Sequence, residues 1–224
     1  HQGQQTPEKN AVTRDTVKLQ TVVWQSIGDG LAYLRIAQFL DDTNVDVENA
    51  LKEIVAQKVD GLILDLRRNP GGLLDTTVTV ASQFLEDGLV LYQVDGHGKR
   101  TDLPVREGGV ATKIPMVVLA DQASASASEI LAGTLQDHHR AVLIGAKTYG
   151  KGSVNEFRRL QDGSGVYMTS ALWYTPDGRL IEGEGLTPDM EVPMDLRIPL
   201  GSSFDWQLYS AIQYLADRVP SAAR

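Results

Sequence analysis

The sequence predicts an α/β fold with one mixed central sheet, flanking helices and extra hairpins. Short unbroken apolar runs, typical of buried strands, alternate with segments whose apolar residues recur at helical spacing. Toward both ends of the chain, alternating apolar and polar segments flank short turns and predict hairpins. Together these patterns favour a central sheet covered by helices.

The first half of the chain contains a hairpin, two helices and a buried strand. In chain order, we predict strands at 16–24 and 31–39, a helix at 45–57, a strand at 61–66 and a helix at 73–85. The turn SIGDG separates the first two strands, and the turn RRNPGG follows the apolar run GLILDL.

The second half repeats the alternation and ends in a helix. We predict a strand at 90–94, a surface excursion at 95–113, a strand at 114–120, a helix at 125–138, a strand at 141–145 and a hairpin of 154–160 with 165–175. Apolar residues at spacings of three and four predict a C-terminal amphipathic helix, with the stripe Phe204, Leu208, Ile212, Leu215 and Val219.

The composition excludes several classes of function. The 224 residues carry a net charge of −8, which argues against a general nucleic-acid binder. The absence of cysteine excludes disulfides, a thiol nucleophile and thiolate metal sites. The histidines do not form H-E-x-x-H, which argues against a zinc protease, and we expect no metal and no cofactor. The opening HQGQQTPEKN lacks an initiator Met and an apolar segment, which predicts a fragment or a processed form.

The stretch GAKTYGKGS, residues 145–153, resembles a phosphate-binding P-loop in part. The pattern needs Ser or Thr directly after its lysine, but Gly152 follows Lys151. A P-loop also opens a helix, whereas the residues after Gly152 have the alternation of a strand. We therefore expect no nucleotide here, and Lys151 needs another explanation.

Three serines lie between a predicted strand and a predicted helix, where α/β proteins place their sites. Ser124, Ser126 and Ser128 are each candidates for a nucleophile, a helix cap or a small packing residue. His138 and His139 fall at the far end of that helix, about 18 Å from its start, and are expected to contact its C-terminal carbonyls. A lysine base is then the remaining helper for a catalytic serine.

With these motifs in place, the chain resembles the carboxyl-terminal processing proteases, serine peptidases of family S41 with a Ser/Lys dyad. The resemblance rests on four segments, which are YLRIAQF (33–39), GLILDLRRNPGG (61–72), SASASEILAGTLQDHHRA with IGAKTYGKGSV (124–154), and EGLTPD (184–189). It implies a ClpP/crotonase-like core in which Ser126 is the nucleophile and Lys151 the general base. It also implies an oxyanion hole formed by the N–H groups of Ala127 and of Gly71, with Gly72 as the near alternative.

A lysine accepts a proton only when its amine is neutral, and the reference pKa of that amine is about 10.4. An apolar environment lowers this pKa, and Tyr149 and Val154 are candidates to contribute to such an environment. Lys147 is the rival base, and the family spacing favours Lys151. The family usually has glutamine four residues after the base, to orient its amine. Here that residue is Asn155, whose side chain is one methylene shorter.

The resemblance also implies domain organisation and setting. Residues 1–22 are expected to be a tail and linker that includes the last strand of a PDZ domain, 23–197 the protease core and 198–224 the C-terminal helix. Protein or peptide substrates with apolar C-termini, a homo-oligomer and an extracytoplasmic location are further expectations. The alternative function is a weakly active or inactive relative that binds peptides as a scaffold.

Overall fold

The computed structural model describes residues 19–218, so the predictions for residues 1–18 and for Val219 lie outside it. The elements in chain order are β1 (Val22–Ser26), β2 (Leu31–Ile36), α1 (Thr43–Ala56), β3 (Gly61–Asp65), α2 (Leu74–Ser82), β4 (Leu89–Asp95), β5 (Arg100–Pro104), β6 (Met116–Ala120), α3 (Ala127–Asp137), β7 (Val142–Gly145), β8 (Ser153–Arg159), β9 (Gly165–Tyr174), β10 (Met190–Glu191) and α4 (Trp206–Ala216). The predicted α/β class with flanking helices is confirmed.

The central sheet has six strands in the order β1-β2-β3-β6-β7-β10. Strands β2, β3, β6, β7 and β10 run parallel to one another, and β1 is antiparallel to β2. Every residue of β3 and β6 is buried, which explains why these strands are continuous apolar runs in the sequence.

Helices cover both faces of this sheet. One core cluster joins the sheet to α1, α2 and α3, with fully buried side chains such as Leu34, Leu51, Leu64 and Leu131. The opposite face packs against α4 through Ile63, Val117, Ile144, Ala211 and Leu215. Within residues 19–218, no helix combines the length and apolar character needed to cross a bilayer.

A second, antiparallel sheet was not expected as a unit. Its order is β5-β4-β9-β8, so the predicted C-terminal hairpin joins β4. The surface excursion predicted at 95–113 contains β5, which pairs with β4 from Leu89↔Pro104 to Val94↔Arg100. That prediction was therefore wrong at β5, whose exposed residues lack a strand-like apolar alternation.

The predicted C-terminal helix is present, but its stripe is shifted at one end. Leu215 is buried, and Leu208 and Ile212 pack partly buried against the same cluster. Phe204 precedes α4 and is 64% exposed, so its predicted place in the stripe is wrong. The helix begins after Asp205, whose carboxylate accepts the N–H of Leu208 at 3.0 Å and caps the first turn.

Candidate active site

Three neighbouring parallel strands bring the predicted site residues to one edge of the central sheet. The glycine turn follows β3, Ser126 follows β6, and the segment containing Lys151 follows β7. Because β3, β6 and β7 are adjacent and parallel, their carboxyl ends meet at the same edge. The topology therefore places Gly71, Ser126 and Lys151 in the same region.

Ser126 occupies a strained backbone conformation at the start of α3. Its φ of 58° and ψ of −119° lie in a region that residues with a Cβ rarely adopt, at a cost of about 1–3 kcal/mol. Gly71 packs directly against it, because a Cβ built on Gly71 would lie 2.7 Å from Ser126 Cβ and 2.8 Å from Ala127 N. Only glycine fits this contact between the turn and the helix start.

The carboxylate of Glu129 joins the serine to the lysine segment. Its Oε2 accepts the N–H groups of Ser126 and Lys151, each at 2.8 Å. Its Oε1 accepts the Thr148 hydroxyl at 2.5 Å and the Gly150 N–H at 2.7 Å. Glu129 is fully buried, and these bonds fix the backbone of Lys151 beside that of Ser126.

Glu129 was not singled out from the sequence. The four groups that it binds come from two segments separated by about twenty residues. Only the folded structure brings these segments together, so the sequence does not show the contact. The pattern Ser126-x-x-Glu129 is that of a helix capping box, and it could have indicated a carboxylate directed back at the Ser126 N–H.

The predicted oxyanion donors differ in their availability. The Gly71 N–H donates to Asn69 Oδ1 at 2.8 Å, inside the turn. The N–H groups of Gly72 and Ala127 have no hydrogen-bond partner within residues 19–218. Ala127 is the first residue of α3, where backbone N–H groups lack intrahelical acceptors.

The neighbouring serines stabilise the backbone of the site. Ser124 Oγ donates to Leu66 O at 2.9 Å, and Ser128 Oγ donates to Asn69 O at 2.9 Å. Both bonds attach the start of α3 to the segment after β3. Ser124 and Ser128 therefore have structural roles, which leaves Ser126 as the distinctive serine of the three.

Lys151 is exposed, and its ammonium has no hydrogen bond or salt bridge with any other residue of the range 19–218. Asn155 Oδ1 accepts the Thr169 hydroxyl at 2.9 Å, and its Nδ2 lies 3.2 Å from Ser153 Oγ, so its amide is directed at these two residues. Of the suggested apolar neighbours, Val154 packs against the core, whereas Tyr149 is 68% exposed. Lys147 is exposed as well.

The expected partner of His138 is different in the structure. His138 Nε2 lies 2.7 Å from Leu89 O, on β4, rather than on a C-terminal carbonyl of its own helix. That expectation was therefore wrong for His138, whose imidazole is directed at β4 because this strand packs against α3.

A buried ionic network stabilises the segment that leads from β3 into the glycine turn. The fully buried Arg67 guanidinium binds Asp65 Oδ2 at 2.6 Å and Asp205 Oδ1 at 2.6 Å. Burial lowers the pKa of Arg67, but the hydrogen bonds and charges of the two carboxylates outweigh it and hold that pKa above its usual value. Tyr33 donates to Asp65 Oδ2 at 2.7 Å, and burial followed by the Asp65 charge raises the pKa of its hydroxyl.

The fold and the site define a class of α/β protein in which a strained serine at a strand-to-helix junction faces a glycine turn and a lysine segment. The chain belongs to peptidase family S41, whose model matches residues 30–192.

The chain is 37% identical to a carboxyl-terminal-processing protease of Synechocystis sp., over 98% of this chain and 53% of that protein. It is 40% identical to a carboxy-terminal-processing protease of Bartonella bacilliformis, over 83% of this chain and 44% of that protein. The solved photosystem II D1 C-terminal processing protease superposes with a TM-score of 0.74 at 34% identity, covering 80% of this chain and 50% of that structure. The chain therefore spans about half the length of these relatives.

Proposed function

We propose that the chain is the core of a serine endopeptidase of the carboxyl-terminal processing type, with Ser126 as nucleophile and Lys151 as general base. The observation that carries the proposal is the shared Glu129 Oε2, which holds the backbone nitrogens of both residues at 2.8 Å. Membership of family S41 supports the same reaction class.

In the first step, the neutral amine of Lys151 takes the proton of Ser126 Oγ while Oγ bonds to the substrate carbonyl carbon. The carbonyl oxygen becomes an oxyanion that the Ala127 N–H stabilises together with a glycine N–H of the turn. Gly72 is the better second donor in this conformation, since the Gly71 N–H is bound to Asn69.

The tetrahedral intermediate then collapses. The carbon–nitrogen bond breaks, and the leaving amine receives the proton from Lys151, which leaves an acyl-enzyme on Ser126. Water, deprotonated by Lys151, attacks the ester, and the proton returns to Ser126 Oγ when the acyl group leaves. A polypeptide bound over the exposed lysine would exclude water and favour the neutral amine that both steps require.

We extend the proposal to substrate and setting. Proteins or peptides with apolar C-termini are the proposed substrates, Asn155 is the proposed orienting residue of Lys151, and an extracytoplasmic compartment is the proposed location. These parts rest on the family resemblance, and a homo-oligomer stays a prediction of the same kind.

Cleavage of an unfolded protein by the purified chain tests the proposal. We expect wild-type cleavage that is abolished in Ser126→Ala and in Lys151→Ala and retained in Lys147→Ala, the matched control in the same loop. Loss of cleavage only in Lys147→Ala would overturn the assignment of the base. Binding of the substrate without cleavage by wild type would favour the scaffold alternative.

A further inference from the structure

The second sheet carries exposed aromatic residues among polar ones on the side that does not cover the core. Opposed residues of paired strands point to the same side of a sheet. The outer face comprises Ser153, Asn155, Phe157 and Arg159 of β8, Gly165, Tyr167, Thr169, Leu172 and Tyr174 of β9, Tyr92 and Val94 of β4, and Arg100 and Asp102 of β5. The inner face contains Val154, Ala171 and Trp173, which are directed at the core. An antiparallel sheet with one buried face normally has polar residues on the other.

Four aromatic side chains lie on the outer face. Phe157 and Tyr167 lie directly opposite each other near the tip of the hairpin and are 68% and 67% exposed. Further along, the rings of Tyr92 and Tyr174 stack with centroids 5.1 Å apart. The Arg100 guanidinium lies over the Tyr92 ring at 3.7 Å. The exposed pair Phe157 and Tyr167, continued along the same face by the half-buried pair Tyr92 and Tyr174, indicates a binding surface.

The outer face begins at the candidate general base. The Trp173 N–H donates to Gly152 O at 2.7 Å, so the pairing of β8 with β9 continues past Ser153 toward Lys151. A Cβ on Gly152 would lie 2.7 Å from Ile181 Cβ, which places Gly152 on the inner side. Alternation then directs Lys151 to the outer side, in line with Ser153, Asn155 and Phe157.

Strand β8 is also an edge of its sheet. It ends the order β5-β4-β9-β8 and pairs only with β9 within residues 19–218. One row of its backbone N–H and C=O groups can therefore pair with an added strand. Glu156, Arg158 and Arg159 are exposed on this strand, and such charges disfavour pairing between two copies of the same edge.

We propose that the outer face and the β8 edge bind the substrate polypeptide in extended conformation, beyond the scissile bond. From Lys151 to Phe157, the strand advances about 20 Å, which corresponds to about six residues of extended substrate. Phe157 and Tyr167 thus select an apolar residue about six positions from the bond that is cut. This inference rests on the proposed function and adds a substrate contact about six residues from the scissile bond.

The test compares a double variant of the outer face with a matched variant of the opposite face. Phe157→Ser with Tyr167→Ser removes the outer pair. Val166→Ser with Met168→Ser removes two apolar side chains of the same hairpin that point to the other side and are 39% and 43% exposed. For a peptide of about sixteen residues centred on the cleavage site, we expect the outer variant to raise KM about tenfold at unchanged kcat. The control variant leaves KM unchanged, and a peptide of about six residues is cut equally by all three proteins.

Two outcomes would overturn the inference. Equal KM values for the long peptide in wild type and the outer variant would show that the face does not bind substrate. A sedimentation profile in which only the outer variant dissociates, with unchanged KM, would assign the face to contacts between copies of the chain.

A binding measurement separates this inference from the proposed function. In a Ser126→Ala background, fluorescence anisotropy of the labelled long peptide reports binding without turnover. We expect the outer pair of substitutions to weaken Kd about tenfold, which is about 1.4 kcal/mol, even if wild type shows no cleavage. An unchanged Kd in a protein whose wild-type form cleaves the peptide would refute the inference and leave the proposed function intact.

Discussion

Replacement of Glu129 by glutamine probes the link between the serine and the lysine segment. The carboxylate accepts four hydrogen bonds, two on each oxygen, and every group directed at it is a donor. The Thr148 hydroxyl donates to Glu129 Oε1, and its oxygen accepts the Leu186 N–H at 2.7 Å. Glutamine offers one oxygen, so its NH₂ group would face two of these donors.

The expected loss of stability follows from the two hydrogen-bond donors that would lack an acceptor. A buried donor without an acceptor costs about 1–3 kcal/mol, so Glu129→Gln is expected to lower the free energy of unfolding by about 2–6 kcal/mol. For a chain of this size, the melting temperature should fall by roughly 10 °C. We also expect kcat to fall more than tenfold, because either pair of donors includes a group of the segment 148–151, which positions Lys151.

Urea unfolding followed by circular dichroism measures the stability change, and peptide cleavage measures kcat. Asp189→Asn is the matched control, since its carboxylate accepts the Leu143 N–H at 2.7 Å and the amide oxygen of asparagine can still accept that bond. The control should lose less than about 1 kcal/mol. A Glu129→Gln protein as stable and active as wild type would refute the reasoning.

Three further predictions concern the acid stability, the backbone strain and the orientation of the base. Burial raises the pKa of the Asp205 carboxyl, but hydrogen bonds from Arg67 and from the N–H groups of Gly201 and Leu208 outweigh it and hold that pKa below its usual value. Asp205 therefore stabilises the fold above about pH 4, and this contribution disappears as the pH falls further. Urea titrations should show a shallower loss of stability below about pH 4 in Asp205→Asn than in wild type, and equal slopes would contradict the assignment. Ser126→Gly should be about 1 kcal/mol more stable than Ser126→Ala, since only glycine relieves the positive φ, and a less stable glycine variant would argue against strain. Asn155→Gln should raise kcat if the longer amide orients Lys151 better, whereas an unchanged kcat would count against an orienting role.

The buried elements of the fold could be predicted because their patterns are local. Strands β3, β6 and β7 are short apolar runs, and their burial in a parallel sheet requires that composition. Strand β5 could not be found in this way, because its exposed sequence RTDLP is held by pairing with β4. The two-residue β10 is held in the same way by β7, and the union of two hairpins into a second sheet depends on contacts distant in sequence.

In the candidate site too, the local features could be predicted from the sequence and the contacts between distant segments could not. The strand, serines and helix start pointed to the sheet edge at which Gly71, Ser126 and Lys151 lie, and the family spacing singled out Ser126 and Lys151. The contribution of Glu129 depends on Thr148 and Gly150, which only the fold brings within hydrogen-bonding distance. The hydrogen bond from the Gly71 N–H to Asn69 could not be predicted from the sequence either, because it depends on the conformation of the turn.

In the proposed mechanism, Ser126 forms an acyl-enzyme with the help of Lys151. Rapid acid quench of the enzyme with a peptide substrate, followed by intact-mass measurement and peptide mapping, tests it directly. We expect a covalent acyl adduct on Ser126 in wild type, none in Ser126→Ala, and formation slowed at least a hundredfold in Lys151→Ala. An adduct on another residue, or an undiminished rate of acylation in Lys151→Ala, would contradict the account.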